Sequence, residues 1–321
     1  MNSDNMDLSI VISILNEEES LPELVEWIER ALKPQGWTYE IIMVDDGSTD
    51  SSWMVICDLK DAHPEICGIR FRRNYGKSAA LYEGFAAAKG DIVVTMDADL
   101  QDSPEEIPEM IRMIREDGYD LVSGWKKKRY DDVFTKNIPS KIYNATARHA
   151  TGLKLHDMNC GLKAYRNEVV KSIEVYGDMH RFIPYLAKEA GFSKIGEKVV
   201  HHQARKYGKS KFGLERFIHG FLDLMTIWFL QKFGKKPMHF FGAMGTITFV
   251  IGIIITACLI AKKLIAQHSG AAFRQVTDQP LFYLALLAVV LGALMFVTGF
   301  LAELISRNGQ DRNKYNVKER L

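Results

Sequence analysis

The sequence predicts an α/β fold: a mostly parallel sheet covered by helices, followed by an interfacial helix and two C-terminal transmembrane helices. Three observations carry this expectation. Before residue 126, short Ile- and Val-rich runs alternate with helical patterns, the rhythm of strand–helix–strand units. Residues 239–261 and 281–301 form runs of 23 and 21 residues without a formal charge when His239 is neutral. Charge is split along the chain: residues 1–120 hold 10 Lys/Arg against 26 Asp/Glu, and residues 121–321 hold 31 against 14. An acidic half joined to a basic half suggests a cation site in the first and an anionic partner for the second.

The strands come first. Residues 8–15, 39–44, 66–71, 91–96 and 120–125 are short and rich in branched aliphatics, as buried strands are. Residues 20–33, 51–62, 77–89 and 104–117 read as the intervening helices. The first carries Pro22 in its opening turn, and the last has Ser103 as N-cap with Pro104 at the first helical position. Residues 212–233 mix aromatic and aliphatic side chains with a few charges and lead directly into an apolar run, so they are expected to lie on the membrane surface. At roughly 1.5 Å per residue each apolar run is long enough to cross the hydrocarbon layer, and neither has an internal proline. Gly242, Gly245, Gly252, Gly292 and Gly299 are small-residue positions where helices can approach closely.

The flanks orient these spans. Lys232, Lys235 and Lys236 precede the first; Arg307, Arg312, Lys314, Lys318 and Arg320 follow the second; the loop between holds Lys262, Lys263 and Arg274. This bias places both termini in the cytoplasm and a short loop outside. The polar N-terminus lacks the order of a signal peptide, so the front of the chain is also expected in the cytoplasm. The resulting division is a front domain at 1–211, a juxtamembrane amphipathic helix at 212–237, a two-helix membrane unit at 238–306 and a cytoplasmic tail at 307–321. Four cysteines without paired spacing (Cys57, Cys67, Cys160, Cys258) imply neither a zinc site nor a disulfide framework. An apolar share of 47% excludes global disorder, and a net charge of +1 supplies no overall field for nucleic acid.

In parallel sheets ligands bind at the carboxyl ends of the strands, and the informative residues stand there. Glu17 follows the first strand, Asp46 the second, and Gly76-Lys77 the third; the fourth ends in Asp97-Ala98-Asp99-Leu100-Gln101-Asp102. No G-x-G-x-x-G opens a helix and no G-x-x-x-x-G-K-[ST] occurs, so dinucleotide and P-loop readings lose their main support. Two carboxylates one residue apart at a strand end can offer hard oxygen ligands to one Mg²⁺ or Mn²⁺, with diphosphate oxygens completing the shell. Taken alone, Asp97-Ala98-Asp99 could be a solvated turn and Asp46 ordinary Asp-Gly-Ser turn chemistry. Their recurrence at successive strand ends makes the set specific. His201 and His202 are adjacent, so on a strand they point to opposite faces and do not suggest a metal.

The motifs SILNEEE (13–19), VDDGSTD (44–50), RNYGKSAALYEGF (73–85), MDADLQDSPEEIP (96–108), DMNCGLKAYR (157–166) and HHQARKYGKSKF (201–212) span nearly the whole chain. In this order they resemble the family-2 glycosyltransferases of GT-A (Rossmann-like) fold, and more narrowly the polyprenyl-phosphate glycosyltransferases. Ser13 departs from a frequent family proline, which touches the shape of the nucleotide pocket. The resemblance implies inverting transfer of a sugar from a nucleotide diphosphate sugar to a polyprenyl phosphate at the inner face of the membrane, with undecaprenyl phosphate as acceptor. The product would be a polyprenyl-phosphate-linked monosaccharide for cell-envelope glycan or lipid modification. The two-span arrangement favours a UDP-sugar donor over GDP-mannose, and a homo-oligomer is compatible with the span glycines.

The resemblance also implies roles. Asp97, Asp99 and Gln101 would hold Mg²⁺ or Mn²⁺, which neutralises the leaving diphosphate, and Asp97 also faces the donor. Leu15, Glu17 and Asp46 would line the donor pocket, with Gly76, Lys77 and Ser78 in a loop near the nucleotide. The acceptor phosphate, with a second pKa of about 6, is already an anion and needs cationic clamping more than a general base. Lys126, Arg129 and Lys136 after the fifth strand, and Arg205, Ser210 and Lys211 before the juxtamembrane segment, are the candidates for that clamp. Asp157 would orient the acceptor or act as base, with orientation favoured. Two other readings remain in view: a processive polysaccharide synthase, although no Q-x-x-R-W occurs, and a non-catalytic membrane scaffold or flippase partner, which would not need the acidic and basic sets together.

Overall fold

The computed structural model describes residues 6–127, 148, 151–203, 206–207, 225, 229, 233, 236–270 and 274–308. By its internal packing the chain divides into two compact units, residues 1–224 and 225–321.

The first unit follows the expected rhythm. Strand β1 (Leu8–Ile14), helix α1 (Leu21–Leu32), β2 (Tyr39–Asp45), α2 (Ser52–Ala62), β3 (Ile66–Arg70), α3 (Lys77–Ala87), β4 (Ile92–Asp97), α4 (Ile107–Arg115) and β5 (Leu121–Trp125) succeed one another. In α1, Leu21, Leu24, Val25, Ile28 and Leu32 are buried, which is one face of a 3.6-residue repeat; Pro22 sits in the first turn, where no N–H is needed. Each such side chain contributes about 1.5–3 kcal/mol on burial. Ser103 caps as expected, its hydroxyl accepting the Glu105 N–H at 3.3 Å, although the first turn it caps (Pro104–Glu106) is 3-10 rather than α.

After β5 the chain adds elements that periodicity did not announce: β6 (Lys163–Arg166), α5 (Asn167–Ser172), a 3-10 turn (Met179–Phe182), α6 (Ile183–Glu189) and β7 (Ile195–Val199). The sheet order is β3-β2-β1-β4-β6-β5-β7. Strands β1–β4 are mutually parallel and β5 is parallel to β7. Strand β6 inserts between β4 and β5 and is antiparallel to both, so the sheet is mixed rather than wholly parallel. That insertion brings residues 157–163 beside the carboxyl end of β4.

The second unit is a helical hairpin, α7 (Pro237–His268) and α8 (Pro280–Asn308), each long and apolar enough to cross a membrane. Both overrun the apolar stretches read from the sequence. The span glycines act within this hairpin. A Cβ on Gly245 would lie 2.7 Å from the Gly292 carbonyl oxygen, and one on Gly252 equally close to that of Ala285; Gly299 approaches the Gly242 backbone N at 3.2 Å. The close approach expected of these positions is therefore used between α7 and α8. Large aliphatics such as Ile247, Ile254, Leu284 and Leu294 face outward, as on helices solvated by lipid.

Candidate active site

Three loops at the carboxyl ends of β1, β2 and β3 are locked to one another. Asn16, in the left-handed region at φ 53°, accepts the Thr49 N–H on its side-chain oxygen at 2.8 Å and donates its own N–H to Ser48 Oγ at 2.9 Å. The Glu17 N–H donates to Ser52 Oγ at 2.9 Å. Leu15 and Glu17 are thus held half-buried beside the Asp46 loop. The Asp46 carboxylate accepts the N–H groups of Tyr75 (2.7 Å) and Gly76 (2.9 Å). Burial pushes its pKa up; those two donors lower it, and neighbouring Asp45 raises it further. Gly47 stands at φ 73°, and a Cβ there would meet the Arg73 carbonyl carbon at 2.4 Å, so only glycine lets the two loops touch.

Asp97 ends β4 half-buried, and the Lys77 ammonium contacts its Oδ1. Burial works against this carboxylate's charge. Lys77 outweighs that, helped by Lys126 and Lys163, so its pKa is held well below the usual range. The carboxylate lies over Gly161, where a Cβ would come within 2.5 Å of Asp97 Oδ2. Asp99 is also half-buried and its Oδ1 accepts the Gln101 N–H at 3.2 Å. Between them Leu100 takes φ 59°, a left-handed conformation costing a non-glycine residue on the order of 1–3 kcal/mol, and this reverses the chain directly after Asp99. Gln101 is latched to the far segment: its Nε2 donates to the Gln203 carbonyl at 3.4 Å, and the Gln203 N–H donates to the Gln101 carbonyl at 2.9 Å.

These residues fit a divalent metal. Two carboxylates flank one residue on a strand end, the glycine beneath Asp97 keeps room for its head, and an ammonium already rests on one of its oxygens as a cation. With Nε2 directed at Gln203, the Gln101 Oε1 is the side-chain atom available as a further oxygen ligand. Another group of donors, Glu29, His63 and Glu65, lies at the opposite ends of β2 and β3. There His63 Nδ1 pairs with Glu29 Oε1 at 2.5 Å, and burial, then Glu65 and Glu29, push the Tyr39 hydroxyl up to about 12. It is apart from the strand ends that carry Asp97.

Several residues expected to touch ligands turn out to be internal. Lys126 is largely buried and paired with fully buried Asp102 at 2.6 Å, which raises its pKa despite burial. Asp157 is 1% exposed; its Oδ1 accepts the Asn159 N–H at 3.2 Å and its own N–H donates to Glu197 Oε1 at 2.9 Å. Ser78 is also buried, its hydroxyl 3.0 Å from His180 Nδ1 and accepting the His180 N–H at 3.1 Å. Of the adjacent histidines, His202 is buried and bridges Asp102 through the backbone, while His201 is exposed. Arg129, Lys136, Arg205, Ser210 and Lys211 lie outside the described residues, as do most of the expected helix at 212–237 and the tail beyond 308.

The sequence reading gave no role in this neighbourhood to Lys163, Asp102, His180 or Gly161. Lys163 is buried in β6, donates to the Cys160 carbonyl, and has its pKa lowered chiefly by burial. In a sequence it is one lysine in a short strand, KAYR, and nothing marks it as buried. Burial, and then the charges of Lys77, Arg181 and Lys163, hold the His180 imidazole well below its ordinary value, hence neutral at pH 7. The unfolded chain takes up that proton below about pH 6.5 and the folded chain does not. Stability therefore falls as pH drops below that value, by up to about 1.4 kcal/mol per unit for this group. Thermal unfolding in detergent between pH 7.5 and 5 checks this; His180→Gln should show a shallower loss than the wild type.

The family model for glycosyl transferase family 2 matches residues 9–174, which include the loops that carry Glu17, Asp46, Lys77, Asp97 and Asp99. Among curated proteins, the chain is 36% identical over 307 residues to dodecaprenyl-phosphate galacturonate synthase of Rhizobium johnstonii, covering 94% of this chain and 88% of that protein. It is 36% identical over 325 residues to undecaprenyl-phosphate 4-deoxy-4-formamido-L-arabinose transferase of Shewanella sediminis, covering 99% and 94%. Among solved structures, mannosyl-3-phosphoglycerate synthase from Rubrobacter xylanophilus aligns with TM-score 0.57 at 15% identity, over 71% of this chain and 75% of that one. Glucosyl-3-phosphoglycerate synthase from Mycobacterium tuberculosis, solved with Mn²⁺, uridine-diphosphate and phosphoglyceric acid, aligns with TM-score 0.51 at 19% identity, over 70% and 78%. These structural likenesses concern the fold alone. The mixed sheet with acidic strand ends, the family match and the near full-length relatives together make this chain a glycosyltransferase of family 2, similar to its polyprenyl-phosphate members.

Proposed function

We propose that the protein transfers a single sugar, with inversion, from a UDP-sugar to undecaprenyl phosphate at the cytoplasmic face of the membrane. The observation that carries this is the Asp97-Ala98-Asp99 strand end, facing the Asp46 and Lys77 loops, in a chain that also holds two helices able to cross a membrane. Relatives named for sugar transfer to dodecaprenyl and undecaprenyl phosphate support the acceptor class. An acceptor phosphate oxygen forms the new bond to the anomeric carbon, the bond from that carbon to the diphosphate breaks, and the nucleoside diphosphate leaves with the electron pair. A divalent metal at Asp97, Asp99 and Gln101 would stabilise the charge developing on that leaving group. Leu15, Glu17 and Asp46 shape the donor pocket, and Asp46 fixes the loop from which Lys77 projects.

The acceptor is already deprotonated, so no general base is required. This agrees with Asp157 being buried with its carboxylate on the Asn159 N–H, where it acts as a positioning residue, and with Lys126 serving Asp102. The acceptor clamp then falls to Arg129, Lys136, Arg205, Ser210 and Lys211. Removing one charge-assisted hydrogen bond to phosphate costs about 1.5–3 kcal/mol, roughly tenfold to a hundredfold. Arg205→Ala and Lys211→Ala should therefore slow transfer to a short, water-soluble prenyl phosphate by that factor while nucleotide affinity holds. Wild-type rates for both variants would reject the clamp. Screening UDP-sugars and GDP-mannose with undecaprenyl phosphate, and weighing the lipid product, tests the reaction; a polymer would point to a processive synthase, and no turnover to a scaffold.

The charged flanks of the two helices favour cytoplasmic termini and an external loop near residues 266–280. A cysteine replacing Gly270 should then react with an impermeant reagent added outside intact cells, and one replacing Tyr315 should not. The opposite pattern overturns the orientation.

A further inference from the structure

Three lysines surround Asp97, and they are not equivalent. Lys163 is buried and donates to the Cys160 carbonyl, and Lys126 is buried against Asp102. Lys77 is 32% exposed, begins α3 immediately after Gly76, and contacts Asp97 Oδ1 directly. The Asp46 carboxylate holds the Gly76 N–H and so anchors the backbone beside Lys77, whose four-carbon arm has several rotatable bonds. The Asp97 carboxylate is also expected to bind the metal. A divalent cation and an ammonium cannot share one half-buried carboxylate without strong mutual repulsion.

We infer that Lys77 is a placeholder cation: it neutralises Asp97 until a nucleoside diphosphate offers the ammonium a better anion, and so makes metal binding depend on donor binding. This rests on the metal-assisted transfer proposed above. With Lys77 on Asp97, the metal must displace it and binds weakly. A bound diphosphate draws the ammonium away, since charge-assisted contacts to phosphate are strong, and releases the carboxylate to the metal. Metal and nucleotide then favour each other beyond direct coordination, and reciprocally so. The same lysine is left to balance charge on the diphosphate during transfer, which gives it a positioning and an electrostatic role at once.

The test is a titration of Mn²⁺ by electron paramagnetic resonance on the full chain in detergent, with and without UDP. An opposite charge a few ångströms from a carboxylate changes its cation affinity by roughly tenfold to a thousandfold, judged from proton affinities. Lys77→Met should accordingly bind Mn²⁺ alone at least about tenfold more tightly than wild type, and Lys77→Gln, a second uncharged variant, should agree. Lys77→Arg, which keeps the charge, should stay near wild type. The factor by which UDP tightens Mn²⁺ binding should shrink in Lys77→Met to match. Unchanged or weaker Mn²⁺ binding by both uncharged variants overturns the inference. If wild type binds Mn²⁺ with UDP and Asp99→Ala does not, the metal site stands whatever Lys77→Met does. If no variant binds Mn²⁺ with UDP, the metal-assisted reading falls and this inference with it.

Discussion

Asp99→Ala is expected to abolish sugar transfer and leave the fold standing. The carboxylate stands half-buried at the strand end, outside the hydrophobic core of Ile10, Ile12, Met43 and Val94, so its loss opens no cavity. Its Oδ1 accepts the N–H of Gln101, two residues on. The expected loss comes from the metal. Stabilising charge on a leaving group contributes several kcal/mol, so removing a ligand should cost about a thousandfold or more in turnover. The unfolding temperature in detergent should stay near that of the wild type. Turnover within tenfold of wild type in Mg²⁺ or Mn²⁺ would falsify the assignment.

The second large effect is on stability. Asp102 is fully buried and pairs with Lys126 at 2.6 Å, and its backbone bridges His202. Asp102→Ala leaves a buried ammonium without its carboxylate, a change that costs about 3–5 kcal/mol. In a domain of this size that is roughly 10 °C of unfolding temperature. The double variant Asp102→Ala with Lys126→Met should recover much of the loss, because it removes the orphaned charge as well. A single variant as stable as wild type would show that the pair holds nothing together. Because Asp102 is next to Gln101 and across from His202, the same change should loosen the link between the acidic loop and the 201–203 segment, lowering activity even below the melting range.

Much of this protein was legible without its structure because its signals are local. Ile/Val runs, helix faces such as Leu21–Leu24–Val25–Ile28, the Ser103 cap and the two apolar spans depend on residues a few positions apart. So does the placement of Asp46, Asp97 and Asp99, since a strand's carboxyl end is set by where its apolar run stops. Beyond β5 the local signal fails. The strands KAYR and IGEKV are four and five residues long and half polar, and they hold their places through pairing with β4 and β5 rather than through a pattern of their own.

The sequence by itself determined the fold class, the family and the acidic strand ends at which chemistry is expected, because composition, periodicity and motif order are properties of neighbouring residues. Only the tertiary structure decided what each charge does. It committed Lys126 to Asp102, enclosed Asp157 and Ser78, spent the span glycines between α7 and α8, and set Lys77 on Asp97. Those outcomes turn on which groups lose water and which partner they find on losing it. Lys77 and Asp97 are twenty residues apart, and Asp102 and Lys126 lie on opposite sides of α4 in the chain. A buried charge is stable only beside its counter-charge, and pairings at that distance exist only once the sheet has formed.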